Sequence, residues 1–384
     1  MASFQLLSPD KPLRASGIKR ELRQGPANTL ASRAASFFAQ LEDGPDLLVG
    51  ALPFNRKADD YLYQPVSVET GEKARSAPGR PGRLSADKWI VTADPSAELY
   101  AAAVSRALEV IAESGAKGGL DPLSKVVLSR SLLVRASQPV DGEALLGKLS
   151  VDPSITAFCS PLPSEAGMQP VLIGATPELL VSRVGDMVVS HPLAGSARRY
   201  ADRSADLHSA RELEESDKNR REHNAVVEAV SDTLGPYCSQ LDAPDGTTLR
   251  ATATMWHLGT RIVGRLRDPD TPVTELAAAL HPTPAVCGLP REPADSLIHE
   301  LEGYDRGFYA GAVGWANAQG DGEWYVALRC AQLSGAQVRL YAGAGIVRGS
   351  DPLAEVDETS AKFLTMLNAL GVDEQGRPLK EQAA

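Results

Sequence analysis

The strongest constraint on the fold is a series of β-forming blocks: SKVVLSRSLLV, ITAFCSPL, PVLIGATPELLVSRV, MVVSHPLAG, LRATATMWHL, GAVGWA, EWYVALRCAQL and QVRLYAGAGIV. Each alternates apolar with polar residues or runs apolar throughout, as strands buried on one face or on both do. The segments AQGDGEW and SGAQ join neighbouring blocks at hairpin length, which predicts an antiparallel meander near the C-terminus. Helix-periodic runs at 97–114, 210–234, 295–303 and 352–370 are interspersed with the strands, giving an α+β pattern without internal repeats. Residues 55–83, rich in Pro, Gly and charge, read as a long irregular excursion, and 373–384 as a frayed tail.

Composition removes several classes of function. With 384 residues, 43% of them apolar, the chain can bury a sizeable core. A net charge of -10 argues against binding nucleic acid or an anionic membrane, both of which need concentrated Lys and Arg. No stretch approaches about 18 uninterrupted apolar residues, and the N-terminus has no signal-like apolar segment, so a cytoplasmic protein is expected. Cys159, Cys238, Cys287 and Cys330 lie far apart without a CxxC pair, which fits reduced thiols in the core and argues against a zinc site.

Against that background, one carboxylate is out of place. In the segment ESDKNRREHNAVVEAV, Glu222, Val226 and Ala229 fall at i, i+4 and i+7, so Glu222 shares the inward, apolar stripe of its helix. Taking a carboxylate out of water costs on the order of several kcal/mol unless a cation or a set of donors meets it. The helix opening at Pro352 poses a related question, because Glu355, Glu358 and Lys362 share one side. An exposed Glu358–Lys362 pair, worth about 0.3–0.5 kcal/mol, explains that pattern equally well by itself. If the acids met in one cavity, their oxygen-only chemistry would suit Mg2+, and the metal in turn an anionic substrate.

The β blocks carry further candidates. Gly343 and Gly345 in LYAGAGIV mark either close ligand approach or a bulge or tight packing in the sheet, with the sheet explanation favoured. Arg329 shares a strand face with Tyr325 and Ala327, as a fork for a carboxylate or one half of a structural ion pair. Lys125 in SKVVLSR and Glu178 in GATPELLV sit in apolar surroundings. Burial lowers a lysine's pKa and raises a glutamate's, which would provide a general base and a general acid. Satisfied charges at strand ends are the competing explanation.

Ten motifs in order, KVVLSR, GATPELL, PLAGSARR, DKNRREH, MWHL, HPTPAVCG, VGW, LRCAQL, AGAGIV and ETSAKF, resemble the isochorismate synthases of the chorismate-utilising enzyme family. The resemblance covers residues 120–370, with a fainter match at VGALPF near residue 50. It implies a single catalytic domain over residues 1–372, a large antiparallel β-sandwich with helices packed outside, and chorismate bound with Mg2+ in a cleft. Carried over residue by residue, it makes Lys125 the base that activates water for attack at C2 and Glu178 the acid that protonates the departing C4 hydroxyl. Glu222 and Glu358 become metal ligands, joined by Glu355 directly or through water. Gly195, Ser196, His257, Ala285, Tyr309, Arg329, Gly343, Gly345 and Lys362 become substrate contacts.

One departure is Asn219, where related enzymes often carry an acid; it weakens a supporting metal role there and spares the ligand positions. Salicylate synthases, which go on to eliminate pyruvate, tend to carry threonine at the position of Ala285 and alanine at that of Val286. This chain is therefore expected to stop at isochorismate. Enzymes that add ammonia usually lack the lysine that Lys125 matches and so rank lower, and the presence of both Lys125 and Glu178 gives no support to a non-catalytic chorismate-binding protein. The resemblance leans towards supply of 2,3-dihydroxybenzoate or salicylate for siderophores over menaquinone, and a monomer is expected.

Overall fold

A computed structural model describes residues 3–75, 88–116, 122–164 and 167–379. All the strand pairings are antiparallel, and most join one continuous hydrogen-bonded sheet folded into two layers. In one layer, strand Lys125–Ala136 runs beside Gln337–Val347, followed outward by Cys330–Ser334, Val171–Thr176 and Thr156–Pro161. The N-terminal strand Phe4–Leu7 pairs with Thr156–Pro161 on one edge and Leu13–Glu21 on the other, so it ties the layers together. The second layer continues through Tyr61–Thr70, Leu47–Leu52, Ala312–Asn317, Gly322–Val326 and Leu179–Val184. A separate three-stranded sheet holds Leu193–Arg198, Met255–Thr260 and Thr247–Ala251.

The main core fills the space between the layers with side chains from both, such as Leu48, Leu62 and Trp324 from one and Leu128 and Ile346 from the other. A second core lies on the outer face of the first layer, where Phe363, Met366 and Leu367 of helix Pro352–Leu370 pack on Val134, Ile173 and Leu340. The expected α+β class with helices outside a large antiparallel core is what the chain forms.

Local sequence explains where the site-bearing helices start and stop. Helix Pro352–Leu370 begins at Asp351, whose carboxylate accepts hydrogen bonds from the Leu353 and Ala354 amides, and ends at Gly371 with φ of 80°. Ser216 ends helix Arg203–Glu215 and caps helix Asp217–Leu234 by accepting from the Asn219 amide. The periodic run read as one helix over 210–234 is therefore two.

Three further expectations are corrected. The excursion at 55–83 contains the ten-residue strand Tyr61–Thr70, whose Tyr61, Tyr63 and Gln64 are buried between two neighbours; Pro65 and the charged flanks obscured its apolar half. Residues 76–87 of that stretch lie outside the described residues. The expected meander is two separate hairpins, because Gly322–Val326 turns to Leu179–Val184 while Cys330–Ser334 pairs with Val171–Thr176. In the tail, Val372 bridges Pro378 and the Leu379 amide donates to the Gly371 carbonyl. Residues 380–384 lie outside the description.

Candidate active site

Between the long strand pair, the small sheet and the two capped helices lies a cleft. Twelve of the sequence candidates line it: Glu178, Gly195, Ser196, Glu222, His257, Ala285, Tyr309, Arg329, Gly343, Gly345, Glu358 and Lys362. Lys125 stands immediately behind this lining, with its Nζ 2.8 Å from Glu222 Oε1. Glu355 is drawn back further, paired with Lys218, which itself lines the cleft.

Each candidate is placed by an identifiable local cause. Pro177 stops strand Val171–Thr176, and the turn that follows aims Glu178 inward, its amide donating to Thr176 Oγ1 and its carbonyl accepting from the Val326 amide. Glu178 is 2% exposed and its Oε1 has no partner. Burial, only partly offset by the Lys125 and Lys362 charges, pushes its carboxyl up to about 8, so it stays protonated at neutral pH and has a proton to give. Lys125, first residue of its strand, is also 2% exposed, and its ammonium makes contact with Glu222 without a well-formed hydrogen bond.

Of the two glycines of AGAGIV, Gly345 keeps that pair intact. The two long strands pair without a register shift over eleven residues, which excludes the bulge. Instead, a Cβ on Gly345 would sit 2.3 Å from Glu222 Oε1 and 3.1 Å from Lys125 Cε. Gly343 leaves room for the Tyr309 hydroxyl, which would lie 3.0 Å from a Cβ there, and its carbonyl accepts from Lys362 Nζ at 2.8 Å. At Gly195, φ is +75° and the chain passes close to Asn219.

Arg329 is placed differently from expectation. It sits not on a strand face beside Tyr325 and Ala327 but in the break between two strands, with φ of 48°, strained for a residue bearing a side chain. The break arises because the two halves of EWYVALRCAQL pair with different neighbours. Among the described residues its guanidinium meets no carboxylate; Nη2 donates to His257 Nε2 at 2.8 Å. Burial pulls Arg329 down to about 10, and burial together with the Arg329 and Lys362 charges holds His257 far below its usual range, as a neutral acceptor. A buried cation without an anion is a receptor for one.

The three acids proposed to hold metal are each engaged by a lysine: Glu222 by Lys125 at 2.8 Å, Glu355 by Lys218 at 3.0 Å and Glu358 by Lys362 at 2.7 Å. Among the described residues no three such groups already stand at ligating distance. The donor chemistry nevertheless fits a hard cation. Burial and then the charge of Glu358 hold the Glu355 carboxyl above its usual range. At Glu358 burial is outweighed by Lys362 and by hydrogen bonds from Lys362 and Ser196, which keep it ionised. A divalent ion between acids that repel one another would replace the lysines as counter-charge.

Sequence reasoning missed several contributors. Lys218 lies one helical turn before Glu222 on the same face, a spacing that could have revealed it. Tyr341 lies two residues before Gly343 on the same strand face and stacks on Tyr309 with centroids 4.8 Å apart. Glu302 and Arg306 stand at i,i+4, but nothing local marked that pair as buried against the cleft walls. Glu302 accepts from the Ser129 amide and hydroxyl, and Arg306 donates to the carbonyls of Val127 and Val286, so one ion pair fixes two cleft walls.

Comparison with known proteins places the chain in a family. The sequence profile of the family described as "Chorismate binding enzyme" matches residues 60–371. The chain is 41% identical to isochorismate synthase DhbC of Bacillus subtilis, over 97% of its own length and 94% of the relative's. It is 42% identical to a putative isochorismate synthase MenF of Mycobacterium tuberculosis, over 97% of its length and all of the relative's. The crystal structure of a putative 2,3-dihydroxybenzoate-specific isochorismate synthase, DhbC from Bacillus anthracis, superimposes with a TM-score of 0.88 at 38% identity, covering 97% of this chain and 96% of that one.

Proposed function

Because the chain belongs to the family of chorismate-binding enzymes, as an isomerase of the isochorismate synthase type, we propose that it interconverts chorismate and isochorismate with Mg2+, water adding at C2 as the C4 hydroxyl leaves. The observation that carries this reading is a single cleft that holds a buried, protonated Glu178 and, among the described residues, an Arg329 without an acidic partner, with the Lys125–Glu222 pair at its wall. C4 bears a poor leaving group that needs a proton, and C2 needs a nucleophile better than water. Lys125 is the base that takes a proton from water as the oxygen bonds to C2. The ring double bonds shift, the C4–O bond breaks, and Glu178 protonates the departing oxygen as water. The enolpyruvyl ether is untouched.

Arg329, positioned by His257, would receive a substrate carboxylate, while the Tyr309–Tyr341 stack lines the cleft beside it. Glu222 and Glu358, with Glu355 behind them, would hold Mg2+, which would neutralise the other carboxylate and orient the ring. Small Ala285 and buried Val286 line the wall against which the ring and its side chain are posed, which favours release of isochorismate over pyruvate elimination. Supply of 2,3-dihydroxybenzoate or salicylate for siderophores, from a cytoplasmic monomer, is the proposed context.

The test is incubation with chorismate and Mg2+ followed by chromatographic separation of products. Isochorismate in equilibrium with chorismate is expected, with none formed in excess chelator. Full turnover in chelator would refute the metal assignment. Salicylate and pyruvate released faster than free isochorismate decays would move the protein among the salicylate synthases.

A further inference from the structure

Beside the cleft is a second cavity whose lining the chemistry above leaves half used. It shares Lys218 and Glu222 with the cleft, reaches Lys125, and is completed by Arg221, Arg348 and small neighbours. Four cations therefore face one carboxylate. Lys125 and Lys218 are paired to Glu222 and Glu355, but Arg221 and Arg348 are exposed, and among the described residues neither has an ion-pair partner. The cavity behind Arg329 contrasts with it: its lining is mostly small or apolar, with Lys148, Arg329 and Asp152 its charged members.

Two free guanidinium groups at the mouth of such a cavity matter more in a chain of net charge -10, whose general field repels anions. Cations concentrated in a concave surface focus field lines and raise the local concentration of an anionic ligand. We infer that this cavity is the electrostatic approach to the cleft for a dicarboxylate substrate, with Arg221 and Arg348 as its steering residues. This inference rests on the proposed reading of the site. The two arginines come from different elements, the capped helix bearing Glu222 and the turn after strand Gln337–Val347, so the approach exists only once both elements are docked.

The test compares steady-state kinetics of the wild type, R221Q, R348Q and the double reversal R221E/R348E across ionic strength, with R377Q in the C-terminal turn as control. At low salt the double reversal should lower kcat/KM by about tenfold or more, with kcat within about twofold, because collection is impaired and chemistry is not. The gap should narrow near 1 M salt, where the Debye length is about 3 Å. R377Q should keep the wild-type salt slope. Wild-type kcat/KM and salt slope in the double reversal would overturn the inference, and so would a fall in kcat at unchanged KM, which would place the arginines in the reacting site. Absence of chorismate turnover in the wild type would instead sink the reading of the site and the approach with it.

Discussion

At the scale of single residues, two carboxylates show how environment decides role. Glu178 and Glu358 line the same cleft, yet burial holds one protonated to about 8 while a lysine and a serine keep the other ionised. Turnover should therefore fall as pH rises through about 8, when Glu178 loses the proton it must donate. The linkage has a definite sign. A carboxyl whose folded pKa is raised above its unfolded value of 4.5 gives stability that is complete below that value and is lost as pH rises towards about 8. Glu178→Gln should flatten that decline in urea unfolding measured between those limits, while lowering turnover by about 100- to 10,000-fold. Lys125→Ala should cost a similar factor with the fold intact, and near-normal turnover in either variant would remove that residue from its role.

At the scale of elements, the strand pair Lys125–Ala136 and Gln337–Val347 and the helix Pro352–Leu370 each carry part of the chemistry, and small changes in their backbones should be felt in the site. Gly345→Ala would push a methyl group into Glu222 and Lys125, so activity should drop far more than thermal stability does. A variant with wild-type turnover would show that the Lys125–Glu222 contact is dispensable. Asp351→Ala removes the carboxylate that accepts from two amides at the start of the last helix and should cost about 1 kcal/mol in chemical denaturation. In the turn bearing Ala285 and Val286, the double change Ala285→Thr with Val286→Ala should raise salicylate and pyruvate output, which coupled pyruvate detection would measure.

At the scale of the molecule, the N-terminal strand decides whether there is one folding unit or two. Phe4–Leu7 is hydrogen-bonded to both layers, and Phe4 and Leu6 are fully buried between them. Deleting residues 1–21 should therefore abolish soluble folding, although the motif-bearing positions all lie beyond it, and calorimetry of the intact chain should show one transition. A soluble, active truncation would contradict this.

The sequence by itself determined much of this. Strand blocks, hairpin turns, the capped last helix and the inward stripe of Glu222 are local patterns, written in spacing and in residues such as Asp351, Pro352 and Gly371. The motifs then tied Lys125, Glu178 and Arg329 to one chemistry. What only the tertiary structure decided are the relations between segments distant in the chain. Gly345 is required because Glu222, more than a hundred residues earlier, passes within van der Waals reach of it. Arg329 leaves its strand because two different neighbours claim the two halves of its block. Glu302 and Arg306 reach across to Val127 and Val286, and Glu355 is withdrawn from the cleft by Lys218. Local propensity carries no information about which distant backbone a side chain will meet, since burial, ion pairing and steric exclusion exist only once the layers have closed.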